Sequence, residues 1–162
     1  MLRIVFFVLT VLFSQPLFSQ TTANPVLVSG NKYKGVIFPE DYQVPIAFGA
    51  ERLERRFTPT LAQIETAEEG FAEQYNRLRN TNVSNVSNHF KCHRRQYLGY
   101  INYKGDSIIL TQLVNIGSPL ALKRRRAFDR WEDYFITCLS DFCYKYLRFY
   151  HYNIDTNKLE VL

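Results

Sequence analysis

Three groups of side chains in this sequence are of types that can do chemistry. The first, His89-Phe90-Lys91-Cys92-His93, places two imidazoles and a thiol within five residues. On a helix His89 and His93 would share a face, as zinc sites require, and Cys92 beside a histidine is the pairing of a thiol nucleophile with its base. Against both stand the setting and the charge. A third ligand, His151 or an acid, would have to come from afar, and Lys91, Arg94 and Arg95 oppose a cation. The segment follows a polar stretch and leads into a strand pattern, so the expectation is surface or strand-edge histidines. A metal-binding or hydrolytic protein centred on His89, Cys92 and His93 stands as an alternative.

The second group is the run Lys123-Arg124-Arg125-Arg126. Residues 91–130 hold nine basic and two acidic residues. Such a run can neutralise phosphates and bind polyanions in a salt-dependent way, or stand as a solvated loop. The third group is aromatic. Phe142, Tyr144, Tyr146, Tyr150 and Tyr152 alternate along one strand face, interrupted by Arg148. Tyrosine combines a rigid ring with a polar tip, which suits an interface. The expectation is a sheet face that is either an open binding platform or covered by the chain's own arm. No catalytic constellation and no cofactor motif is present.

The rest of the chain bounds these options. It has 162 residues, 46% hydrophobic, with a formal charge of +5. That is one domain's length, too apolar for a disordered tail. Residues 1–19, MLRIVFFVLTVLFSQPLFS, carry Arg3, then the apolar run Ile4 to Phe13, then Pro16 and a small residue at Ser19. This is the pattern of a cleaved signal peptide, and the run is shorter than the ~20 residues of a spanning helix. The chain is therefore expected to be exported, periplasmic or extracellular, with no transmembrane segment once cleaved after Ser19.

Export opens the cysteines to oxidation. Cys92, Cys138 and Cys143 are odd in number. If Ser140-Asp141 is a two-residue turn, Cys138 faces Cys143 with Cα atoms about 4.5 Å apart, inside the range of a disulfide. Two free thiols, or a bridge from either to Cys92, remain open readings.

The elements that position these groups follow from periodicity. Residues 20–57, punctuated by Pro25, Pro39 and Pro45, read as an irregular N-terminal arm, with Tyr33 to Phe38 able to add an edge strand. Thr58-Pro59 caps a helix over 59–80, whose Leu61, Ile64, Ala67, Phe71, Tyr75 and Leu78 form one apolar face. Gly70 within it reads as a close approach to a strand. Residues 81–90 are a polar linker. Strands follow at Arg95 to Lys104 and Ser107 to Ile116, turning at Gly105-Asp106. Trp131 to Cys138 and Phe142 to Ile154 read as a second hairpin, and Lys158 to Leu162 as a last strand. The expectation for residues 58–162 is a single α+β domain: one long helix on an antiparallel sheet of four to five strands.

The strand half resembles a family of small secreted proteins from Bacteroidota. The residues that carry it are Arg94-Arg95-Gln96-Tyr97-Leu98-Gly99-Tyr100-Ile101-Asn102, then Gly105, Asp106 and Ile108-Ile109, after a helix opening Thr58-Pro59-Thr60-Leu61. Trp131, Asp141, Cys143, Tyr152-Asn153 and Lys158 match its later positions, without the Gly-Gly of its turn. The resemblance covers about residues 57–162. It implies export and a cystatin-like helix-on-sheet shape, and no activity. A cystatin-like protease inhibitor would need a Gln-x-Val-x-Gly hairpin loop. Gln112-Leu113-Val114-Asn115-Ile116-Gly117 nearly spells it, with the glycine one place late and the segment one connection too far along.

These residues point to a non-enzymatic binding or envelope-associated protein with a protein or glycan partner, in contact with a polyanion or a membrane surface. In an exported protein, nucleic acid is not the expected polyanion. Asp106-Ser107-Ile108, at a turn, also resembles a short O-glycan acceptor.

Overall fold

A computed structural model of the chain describes residues 24–44, 55–117, 128–137 and 146–161. Strands β1 (Val26–Ser29) and β2 (Lys34–Ile37) form an antiparallel hairpin, and β3 (Arg55–Phe57) leads into helix α1 (Leu61–Arg79). A four-residue helix α2 (Val86–His89) precedes β4 (His93–Ile101) and β5 (Ser107–Asn115); β6 (Leu147–Asn153) and β7 (Lys158–Val161) close the chain. The sheet order is β1-β2-β4-β5-β6-β7, with β3 also on β4.

The α+β class is as expected, but the sheet has seven strands rather than four or five and is mixed rather than antiparallel. β2 runs parallel to β4 in the register Gly35↔Arg95 to Ile37↔Tyr97, while β3 pairs antiparallel with the second half of the same strand. The parallel pair is connected through α1, as a crossover must be. The chain read as an arm, 20–57, therefore supplies three strands. One side chain closes the gap between two of them. The Arg56 guanidinium donates to the carbonyls of Gly99, Phe38 and Pro39 at 2.9–3.3 Å, and more distantly to that of Tyr42.

Helix α1 starts at Leu61 because Thr60, not Thr58, caps it. The Thr60 hydroxyl accepts from the Gln63 amide, and the Gln63 side chain accepts from the Thr60 amide, a reciprocal capping box. The Thr58 hydroxyl instead accepts from the Glu40 amide at 3.0 Å. Ile64, Ala67, Gly70, Phe71 and Tyr75 are buried as the periodicity predicts, while Leu61 and Leu78 at the two ends remain exposed. Each large buried side chain contributes roughly 1.5–3 kcal/mol. The close approach expected at Gly70 is present: a Cβ there would run into the Tyr152 ring.

The sheet has an apolar core on each face. Beneath α1 lie Tyr97, Ile109, Leu113, Tyr150 and Tyr152. On the opposite face Val36, Phe38, Leu98 and Leu110 pack against Phe135, with Trp131 at the margin. The segment expected as a strand from Trp131 to Cys138 is not one over its described part. Residues 128–134 are turns, and β6 pairs with β5 and β7 instead.

Candidate anion-binding groove

Lys123, Arg124, Arg125 and Arg126 lie outside the described residues, as do Tyr144, Cys138 and Cys143. Of the tyrosine face, Tyr150 and Tyr152 are buried under α1, and Tyr150 packs its ring against Phe71 at 4.8 Å between centroids. Tyr146 is buried with Val114, Phe128 and Ile136. All three are core, not an open platform: α1 covers Tyr150 and Tyr152, and Tyr146 is buried in a separate cluster with Val114 and Leu147.

His89 and His93 do not share a helix face, since α2 ends at His89 and His93 begins β4. Both rings instead pack edge-on against Phe90, at 4.7 and 5.0 Å. Burial, then the charges of Arg95, His89 and Arg148, push His93 down to about 4. It is neutral at physiological pH. Cys92 is exposed, and among the described residues no three His, Cys, Asp or Glu side chains come together as a metal set, His89, Cys92 and His93 included. The near-match to an inhibitory loop is also placed. Gln112, Leu113 and Val114 are buried inside β5, paired on both sides, and cannot be inserted into a cleft.

What the fold does bring together is a set of cations from three separate stretches. Lys34 opens β2 and Arg94 is the second residue of β4. The parallel register Gly35↔Arg95 sets the two side by side. The turn between β1 and β2 adds Lys32, and the turn after α2 adds Lys91. All four line a cleft of about 240 Å³ with no acidic residue in its walls. Tyr33 forms its inner wall, buried with its ring edge-on to Tyr97 at 6.3 Å.

A second cleft of about 310 Å³ shares Lys34 and Arg94, continues past Leu27, Ser29 and Trp131, and has one acid, Glu132, in its lining. The two form one groove along the hairpin. The Arg94 guanidinium lies 5.7 Å from the centre of the Trp131 ring. A contact of this kind orients a cation without neutralising it. Among the described residues none of the four cations forms an ion pair. Arg95, next along β4, shows the contrast. It is 1% exposed, 3.4 Å from the Glu68 carboxylate, and donates to the carbonyls of Phe90 and His93 at 3.1 and 2.8 Å. The buried cation is satisfied within the protein, and the groove cations are left to solvent or to a ligand.

Sequence reasoning included Lys91 and Arg94 in the basic stretch 91–130 but missed Lys32 and Lys34. They sit about sixty residues earlier, and only the parallel crossover makes them neighbours. The signal available was the strand pattern from Tyr33 to Phe38. No protein-family model, curated protein or solved structure matches the chain.

Proposed function

We propose that the protein is an exported, non-enzymatic binding protein that holds an anionic ligand in the groove formed by Lys32, Lys34, Lys91 and Arg94. The observation that carries this reading is the convergence of four cations on a cleft without an acid in its walls. Grouping like charges costs free energy in the empty protein, and an anion removes that cost while making charge-assisted hydrogen bonds. The shared chemistry of the ligand is a carboxylate, sulfate or phosphate array. Signal-peptide cleavage after Ser19 belongs to the same proposal. Among the described residues no helix is long and apolar enough to cross a membrane.

The test is retention on immobilised heparin over a salt gradient. The triple variant Lys32→Ser, Lys34→Ser, Lys91→Ser should elute at clearly lower salt than the parent, with an unchanged circular dichroism spectrum. The same replacement of Lys123 to Arg126 is run beside it. Loss of retention only in the second variant would move the anion site out of the groove, and retention unchanged in the first would end the reading.

A further inference from the structure

Strand β1 is the outer edge of the sheet on its side: it pairs with β2, and among the described residues no strand pairs with its other side. An edge usually protects itself with charge, proline or a bulge. This one reads Val26-Leu27-Val28-Ser29, and Val26 and Leu27 are 54% and 60% exposed. The Gly30 amide donates to the Tyr33 carbonyl at 3.1 Å, which makes that pair hydrogen-bonded. Antiparallel pairs alternate, so with the register Val28↔Gly35 and Leu27↔Val36, Val26 and Val28 bond inward to β2. Leu27 and Ser29 turn their amide and carbonyl outward.

Those two residues also line the second cleft, on the same side of the sheet as Lys34, Arg94 and Trp131. A strand added outside β1 would place its alternate side chains above that cleft. The side chain opposite Ser29 stands two strand spacings of about 4.8 Å from the row of Lys34, within the combined reach of a glutamate and a lysine. A second copy pairing β1 with β1 would offer Lys34 no carboxylate, since Val26 to Ser29 contains none.

We infer that β1 accepts an extended segment of another polypeptide as an added strand, with an acidic residue opposite Ser29, in the row of Lys34 and Arg94, and apolar residues beside it. This rests on the groove cations being anion-binding, and adds backbone pairing as the source of selectivity for a peptide.

The probe is a capped hexapeptide of alternating valine and glutamate. Trp131 is the chain's one tryptophan and lines the cleft, so its fluorescence reports binding. The expected result is saturable binding, weakened about tenfold or more by N-methylation of alternate peptide amides, since each lost backbone bond removes a net contribution. Leu27→Pro removes the outward amide without touching a bond to β2, and should weaken binding of the unmodified peptide to a similar degree while changing that of the N-methylated peptide little. Equal binding of the N-methylated peptide, or of Leu27→Pro, overturns strand addition and leaves the anion reading standing. A Leu27→Pro change that weakens the N-methylated peptide as much as the unmodified one also overturns it. A dimer seen by sedimentation in the parent and abolished by Leu27→Pro would identify a second copy as the occupant instead. Failure of the lysine variants to alter heparin retention is a separate result, and it removes the anion reading beneath.

Discussion

Gln96 on β4 and Gln112 on β5 are cross-strand partners, both fully buried, and together they hold the two backbone groups of a single residue, Ile136. The Ile136 amide donates to the Gln96 carbonyl oxygen at 2.9 Å, and the Ile136 carbonyl accepts from the Gln112 amide at 2.9 Å. Gln96 also donates to the carbonyls of Trp131 and Tyr134, each at 2.7 Å. Two side chains thus do for residues 131–136 what a neighbouring strand would do: they satisfy its backbone away from water. The same grip sets Trp131 at the side of the basic groove.

Gln96→Leu is expected to destabilise the protein by ~2–4 kcal/mol, because it leaves two carbonyls and one amide buried without partners. Urea unfolding gives the value. The Trp131 emission of the folded variant should shift to longer wavelength as the segment loosens. A loss below about 0.5 kcal/mol would show that water replaces the glutamine without cost.

Glu68→Gln tests the carboxylate at the buried Arg95. Glu68 lies 3.4 Å from the Arg95 guanidinium and accepts from the Tyr97 hydroxyl at 2.9 Å. Removing its charge leaves a buried cation held only by carbonyls, at an expected cost of ~2–4 kcal/mol. The double variant Arg95→Met, Glu68→Gln should recover part of that loss. A double variant as unstable as the sum of the two single changes would contradict the coupling.

Acid should destabilise the fold through its histidines. Burial alone pushes His151 down to about 4, and burial with neighbouring cations does the same to His93. Both groups take up protons in the unfolded chain first. Their contribution is therefore complete above the ordinary histidine value of about 6.5 and is lost as pH falls through that value toward 4. For His151, which is 9% exposed, the full effect is up to ~3 kcal/mol; for the less buried His93 it is smaller. Denaturant midpoints between pH 7.5 and 4 should fall accordingly. His151→Gln, which can still hydrogen-bond to the Tyr100 hydroxyl now 3.0 Å from Nδ1, should flatten the dependence. An unchanged slope would assign the acid sensitivity elsewhere.

Gly70→Ala should destabilise rather than stabilise. In an exposed helix the change gains about 1 kcal/mol, but here the new methyl meets the Tyr152 ring, and overpacking costs about 1–3 kcal/mol. In a Tyr152→Ala background the same substitution should turn neutral or stabilising. Thermal melts of the four proteins settle the sign.

Several parts of the molecule were legible in the chain because they depend on neighbours in sequence. The apolar face of α1 from Ile64 to Tyr75 follows from helical spacing, and the β4–β5 hairpin from the turn at Gly105-Asp106. The central place of β6 follows from apolar residues on both its sides. The inner role of the tyrosines was decided by something else, namely which of two apolar faces the helix covers. Tyr150 and Tyr152 look like a platform until α1 lies on them. Residues 131–136 look like a strand by composition, but their backbone partners are the side chains of Gln96 and Gln112, which no local pattern announces.

The groove divides in the same way. Sequence alone determined that cations are concentrated around Lys91 and Arg94 and that Tyr33 to Phe38 can form a strand, since composition and alternation are local properties. Only the tertiary structure decided that the strand runs parallel to β4 in the register Gly35↔Arg95. That register carries Lys32 and Lys34 across the sheet to Lys91 and Arg94. It depends on α1 crossing over one face and on the fit of Gly35 beneath the Tyr97 ring, both of them contacts between residues far apart in the chain.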